Sequence, residues 1–313
     1  SSLFVINKMD RENADFFRTM ADIEASLQGN IAAIQIPIGQ AEDFRGIVDL
    51  LTMKAFCEGM RALIYLTARC ADLALSAEDE EDRTKNHNML ELLTPICKAY
   101  CSEWGFHMTT IGLQVFGGYG YTREYPQEQY VRDCQIATIY EGTNGIQALD
   151  LLGRKVSGKG AMAFMTFLNH LNEFINENRE HAFAGPYVQK LEKERDTLSQ
   201  VVMSFQKAGA EGDMYYPILN ATPFLHMLGT LIMSYLHIDM AKVADEKLSA
   251  IFEEKGVSGE EDRAKVIDEN PEAKFYAGKI GAMRFFLAHF LPRVDSAATS
   301  MLSGDRSPLE MNF

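Results

Sequence analysis

Residues 114–154 read QVFGGYGYTREYPQEQYVRDCQIATIYEGTNGIQALDLLGR, and their reading decides the fold. Met108 to Phe116 is an apolar helical stretch, and Gly117-Gly118-Tyr119-Gly120 follow it. Three glycines in four residues either cap and turn a helix or let a ligand, above all an anion such as pyrophosphate, approach exposed backbone amides. Residues 127–155 then read as two helices separated by Glu141-Gly142-Thr143-Asn144-Gly145. A carboxylate before a glycine at such a bend is either an acid at a helix N-terminus or a general base. Ile136, Ala137, Ile139 and Tyr140 precede Glu141, and an apolar neighbourhood raises a carboxyl pKa toward the range a base requires.

Outward from this segment nearly everything reads as helix. On the N-terminal side Lys54 to Leu75 is apolar almost all round, as in a helix buried within a bundle. Glu78 to Asp82 reads as a solvated acidic loop. Met89, Leu92, Leu93, Ile96, Cys97, Tyr100 and Trp104 recur at helical spacing, with Pro95 as a possible kink. On the C-terminal side 155–160 (KVSGKG) has linker composition. Long amphipathic segments follow, marked by residues 164–175, 187–205, 218–254 and 275–290, and the tail from Ser303 reads as frayed. Ile218 to Met240 is the most apolar stretch, yet it holds Asn220, Pro223, His226, His237 and Asp239, so a bundle helix is expected rather than a bilayer span. Short loops between such helices imply antiparallel neighbours.

The front of the chain differs in texture. Leu3 to Ile6 is a short apolar run of buried-strand type, 14–27 reads as a helix with Phe16, Phe17, Met20, Ile23 and Leu27 near one face, and Ile31–Ile38 and Ile47–Leu51 read as further strands. Asn7-Lys8-Met9-Asp10 follows the first of these, an N-K-x-D loop of the kind that reads guanine. With SLFVINKMDRENADFF (2–17) and IPIGQAEDFRGIVDLL (36–51), residues 1 to about 55 closely resemble the GTPase domain of elongation factor G. That resemblance makes Asn7, Lys8 and Asp10 guanine-binding in ancestry. The sequence has no GxxxxGK[ST] phosphate loop, from which such sites draw most of their affinity, so the contacts are expected to be vestigial. The plain structural role for Asp10 and Asn13 is to cap the helix that follows.

The composition bounds the function. The 313 residues carry a formal net charge of −14, which disfavours tracking along a nucleic-acid backbone. Cys57, Cys70, Cys97, Cys101 and Cys134 form no CxxC pair, and a reducing, cytoplasmic setting is expected. Cys97 and Cys101, one turn apart, read as small apolar side chains on a buried face rather than a soft-metal site, and no metal is expected.

Residues 114–154 are very similar to acyl-CoA dehydrogenases, and the likeness runs from about Lys54 to the chain end. The part beyond Gly160 resembles the C-terminal extension of the long, bacterial type. The fold so implied is mainly α: a C-terminal helical bundle plus further helices, preceded by a short α/β fragment. The implied domains are 1–55, 56–156 and 157–313, joined in chimeric fashion at Met53-Lys54-Ala55-Phe56. The resemblance makes Glu141 the base that takes the α-proton of an acyl-CoA while the β-hydrogen passes as hydride to FAD. It places Gln114, Gly117 and Gly118 by the ADP part of FAD, often that of a neighbouring subunit. Thr143 and Gly145 fall near FAD too, although relatives often have Gln where Gly145 stands. Tyr140 and Gly142 line the acyl site. Electron-transferring flavoprotein and a homo-oligomer are the implied partners. The family's N-terminal and middle domains have no counterpart in the matched residues, so this polypeptide alone is expected to show little or no dehydrogenase activity. A GTPase fragment or a non-catalytic helical interaction module are the competing readings.

Overall fold

The computed structural model describes residues 15–27, 37–38, 46–157 and 161–311. The Leu3–Ile6 run and the guanine-loop residues Asn7, Lys8 and Asp10 lie outside them, as do Asn13 and residues 31–36. Helix α1 (Phe16–Leu27) is set off by Asp15, whose carboxylate accepts from the Arg18 amide at 2.9 Å. Phe16 is buried, but Phe17, expected on the same face, is 69% exposed, because consecutive helical residues point about 100° apart. Strands β1 (Pro37–Ile38) and β2 (Gly46–Ile47) form a short antiparallel ladder, with Pro37 opposite Ile47.

The strand expected over Ile47–Leu51 stops at Ile47, and helix α2 (Val48–Ser76) begins at the next residue. A short apolar run fits either state, and helical local bonding prevails here. Asp49 sits in the first turn, where the helix dipole favours an acid, and the Thr52 hydroxyl donates to the Val48 carbonyl at 3.0 Å. Helix α3 (Glu80–Phe116) continues without a break past Pro95. The acidic run is therefore not all loop. Asp79 caps α3, accepting from the amides of Glu81 and Asp82 at 3.1 Å each, and Glu80 to Asp82 form the first turn.

Helix α4 (Gln127–Gln135) folds back on α3, where the Gln127 amide donates to the Thr109 carbonyl at 2.8 Å. Helix α5 (Asn144–Asp150) and a π-helical turn over Leu151–Val156 follow. Then come α6 (Ala161–Asn178), α7 (Gly185–Ala210), α8 (Tyr215–Leu219) and α9 (Ala221–Glu254). The segment expected to run unbroken over 218–254 is thus split at Asn220. Helices α10 (Glu260–Glu269), α11 (Pro271–His289), α12 (Arg293–Leu302) and α13 (Ser307–Glu310) complete the described chain. The tail is less frayed than expected: the Arg306 guanidinium donates to Asp213 at 2.5 and 3.0 Å and lies 4.2 Å from the centre of the Tyr216 ring.

The mainly helical architecture expected from the sequence holds. Residues 227–238 of α9 are all buried but none of the described helices is long and apolar enough to cross a membrane. Around α9 the aromatic core forms from both halves of the chain. Phe56 of α2 stacks on Trp104 of α3 at 4.0 Å and meets Phe286 and Phe290 edge-on at 5.3 and 4.7 Å. Two polar groups buried in this core are paired: the Tyr100 hydroxyl meets Thr230 Oγ1 at 3.1 Å, and His237 Nε2 meets the Ala55 carbonyl at 3.1 Å, whereas the buried Trp104 Nε1 has no hydrogen-bond partner among the described residues.

Candidate active site

The end of α4 tightens into a 3-10 turn at Ile136–Thr138, and the chain bends before α5. Two consecutive residues of the bend have left-handed backbone: Glu141 at φ 54° and Gly142 at φ 85°. Glycine adopts this region without penalty, whereas for other residues it costs about 1–2 kcal/mol. Glu141 is the one non-glycine with positive φ among the described residues. Strain of this kind, held by the surrounding structure, gathers at functional sites. A Cβ on Gly142 would lie 2.9 Å from Gln147 Nε2, the mobile end of a side chain that can shift, so it is the backbone conformation that calls for glycine here.

Thr143 is the N-cap of α5, its hydroxyl accepting from the Ile146 amide at 3.4 Å. Asn144 ties the bend to α3. Its Oδ1 accepts from Lys98 Nζ at 3.2 Å and from Ser102 Oγ at 3.0 Å, while its Nδ2 donates to the Ala99 carbonyl at 3.3 Å and to Glu103 Oε2 at 3.0 Å. Burial pulls the Lys98 pKa down, and the nearby Glu141 carboxylate opposes that pull. Lys98, Ser102, Glu103 and Asn144 were not anticipated as site residues, because their contacts join positions more than forty apart in sequence.

The apolar surroundings expected for Glu141 are present but open. Glu141 is itself exposed, and Ile136, Ile139 and Tyr140 are each more than half exposed. Beside them a cleft of about 490 Å³ between α3 and α4 is lined by Phe106, Glu128, Val131, Gln135, Ile136 and Ile139. A desolvated carboxylate is therefore not formed by these residues alone, since a side chain in contact with water keeps its hydration.

The glycine turn lies elsewhere. Gly117, at φ 62°, caps α3, its amide donating to the Gln114 carbonyl, so the capping role is real. Added Cβ atoms on Gly117 or Gly118 would meet nothing within 4 Å, and Gln114 is exposed, so the outer side of the turn is open to a ligand. Gly120 serves packing instead: its Cβ would lie 2.6 Å from the Leu113 carbonyl oxygen. Gly145 has only Thr143 Oγ1 near such an atom, at 3.9 Å. Asn144 grips α3 at Ser102, and the glycine turn follows residue 116. At 1.5 Å per residue the two places are roughly 20 Å apart along the helix. The structure brings Tyr140, Glu141, Gly142, Thr143 and Gly145 together, and holds Gln114, Gly117 and Gly118 as a second, separate place.

Residues 45–156 match the family model for the acyl-CoA dehydrogenase C-terminal domain, and residues 167–312 match the model described as acetyl-CoA dehydrogenase C-terminal like. The chain carries acyl-CoA dehydrogenase C-terminal domains over most of its length. It is 29% identical over 275 residues to a butyryl-CoA dehydrogenase of Syntrophomonas wolfei, covering 88% of this chain and 42% of the relative. It is 35% identical over 197 residues to 3-methylmercaptopropionyl-CoA dehydrogenase of Ruegeria pomeroyi, covering 63% of this chain and 33% of that one. Its fold matches the crystal structure of Caenorhabditis elegans ACDH-11 in complex with C11-CoA, with a TM-score of 0.54 at 19% identity over 85% of this chain and 40% of the other. The chain thus spans about two fifths of the length of the first of these relatives.

Proposed function

We propose that this chain is the base-bearing C-terminal part of a flavin-dependent acyl-CoA dehydrogenase, and that Glu141 abstracts the α-proton of an acyl-CoA thioester. The observation that carries this reading is the left-handed Glu141 on a bend clamped to α3, within a segment that matches the family. The exposed carboxylate presents two oxygens to whatever docks on the bend. Tyr140 and Gly142 flank it and would line the acyl site.

FAD fits these residues in part. The open turn at Gly117 and Gly118 leaves backbone for a pyrophosphate to approach, which agrees with the role proposed for Gln114, Gly117 and Gly118. The Thr143 hydroxyl is engaged in its cap, and Gly145 offers no side chain. When bound, the flavin supplies the acceptor for the β-hydrogen. The roughly 20 Å between the two places favours a homo-oligomer in which the glycine turn serves a neighbouring subunit's cofactor. Electron-transferring flavoprotein is the proposed acceptor of the electrons, and the cytoplasm the proposed compartment. The proposed domains remain 1–55, 56–156 and 157–313, with the family match beginning at residue 45, ahead of the first boundary.

For residues 1–55 the elongation-factor-like origin is kept as a proposal on sequence alone, with no nucleotide turnover. Titration with a fluorescent guanine nucleotide is expected to show no saturable binding at micromolar concentration; tight binding would overturn this. For the main reading, the experiment is solvent exchange of the acyl-CoA α-hydrogen by the wild-type chain and by Glu141→Gln in the presence of FAD. Loss of exchange in the variant supports it, and equal exchange refutes it.

A further inference from the structure

Asn144 opens α5 but does not cap it; that is done by Thr143. Its side chain points the other way, onto one face of α3, where Lys98, Ser102 and Glu103 stand at helical spacing i, i+4 and i+5. An asparagine amide offers two donors and two acceptor sites, and here all four are taken. The orientation is fixed by chemistry. A lysine ammonium can only donate, so the atom facing Lys98 must be the oxygen, and the nitrogen then meets two acceptors, the Ala99 carbonyl and the Glu103 carboxylate.

The other hydrogen bonds of the bend are local. The Ile139 and Tyr140 amides donate to the Ile136 carbonyl at 3.0 and 3.1 Å, and the Gln147 amide donates to the Thr143 carbonyl at 3.1 Å. The Thr143 cap, at 3.4 Å, is long. None of these joins the bend to another element of the bundle, whereas the Asn144 amide makes four bonds to α3. Two of them involve a charged partner, the stronger kind. Nothing local explains why Glu141 stays in a backbone region that most side chains avoid.

We propose that Asn144 is the positioning residue for Glu141: its four-bond clamp on Ala99, Lys98, Ser102 and Glu103 of α3 holds the bend in which Glu141 is left-handed and its carboxylate faces outward. The relevance to catalysis rests on the reading of Glu141 as the base, but the clamp is a property of this chain and is measurable without flavin or substrate.

The test is nuclear magnetic resonance on the labelled 313-residue chain. A residue with positive φ has a short amide-to-Hα distance and a strong intra-residue cross-peak between these protons. Wild type is expected to show that cross-peak at Glu141. Asn144→Ala is expected to weaken it several-fold while the melting temperature moves by only a few degrees. Asn144→Asp sets two carboxylates against each other and is expected to weaken it at least as much. Pairing Asn144→Asp with Glu103→Gln reverses the donor and the acceptor of that bond and is expected to recover part of the signal, which a merely structural role would not do. Should Asn144→Ala fail to fold, Ser102→Ala removes one bond of the four and must still weaken the cross-peak. The proposal is overturned if Glu141 keeps the wild-type signature in Asn144→Ala or Ser102→Ala, or if the paired variant is no better than Asn144→Asp alone. Failure here leaves the base assignment to be judged by α-hydrogen exchange, and failure of that exchange leaves the clamp to be judged by this spectrum.

Discussion

Glu141 and Gly142 are consecutive left-handed residues, at φ 54° and 85°, and the two positions differ in what they tolerate. Gly142→Ala acquires the left-handed backbone penalty, while the Gln147 side-chain end that its Cβ would meet can shift aside, so it is expected to destabilise the chain by about 1–2 kcal/mol. Glu141→Gln keeps the same backbone and an exposed side chain, and is expected to stay within about 0.5 kcal/mol of wild type. Urea unfolding of both variants checks the contrast.

Gly229 and Gly281 give a second pair with opposite signs. Helix α9 approaches α3 so closely at Gly229 that a Cβ there would lie 2.8 Å from ring atoms of Tyr100. Tyr100 is fully buried and held by its bond to Thr230, so the ring has nowhere to move, and Gly229→Ala is expected to cost about 1–3 kcal/mol. Gly281 lies inside α11 with nothing within 4 Å of an added Cβ. Gly281→Ala gains helix propensity without a clash and is expected to stabilise by about 0.5–1 kcal/mol. Thermal melts of the two variants should move in opposite directions.

His237 sets an acid limit on stability. Burial pushes its pKa down to about 4, against the hydrogen bond to the Ala55 carbonyl, which raises it. The folded state therefore prefers the neutral ring, and the unfolded chain binds a proton first as pH falls. The stability that His237 contributes is present above about pH 6.5 and is lost progressively between about 6.5 and 4, for a total of about 3 kcal/mol. Burial lowers the pKa of His170 and of His226 as well, so all three act in the same direction. Denaturant midpoints measured from pH 7 to pH 4 should fall steeply in wild type and less steeply in His237→Gln.

Much of the bundle was legible because its signal is local. Residues 164–175 and 187–205 repeat apolar positions at helical spacing, and α6 and α7 stand there. The bend at residues 141–145 was legible from its two glycines between helical stretches, whereas the capping role fell to Thr143 rather than to the acid. Other features were not. The run Ile47–Leu51 satisfies strand and helix alike, and α2 prevails because Val48 can be continued by a long helix with buried Ala55, Phe56 and Met60. Helix α10 buries no residue, so it leaves no apolar stripe to read. The openness around Glu141 was misjudged because apolar letters upstream say nothing about what covers them; Ile136 and Ile139 face solvent. The clamp of Asn144 on α3 and the tie between Arg306 and Asp213 join distant parts of the chain, and no periodicity records such pairings.

The exposed surface beside the bend has a consequence for activity. Water at Glu141 competes for the carboxylate and weakens every charge interaction there, and positioning of the reactants supplies on the order of 7–11 kcal/mol in favourable enzymes. Proton abstraction by the 313-residue chain supplied with FAD is therefore expected to be slow and dependent on Glu141. The most direct measurement is the rate at which butyryl-CoA exchanges its α-hydrogens with deuterated solvent, in wild type and in Glu141→Gln. The account predicts slow exchange in wild type above the protein-free rate, abolished in the variant; identical rates for the two proteins would contradict it.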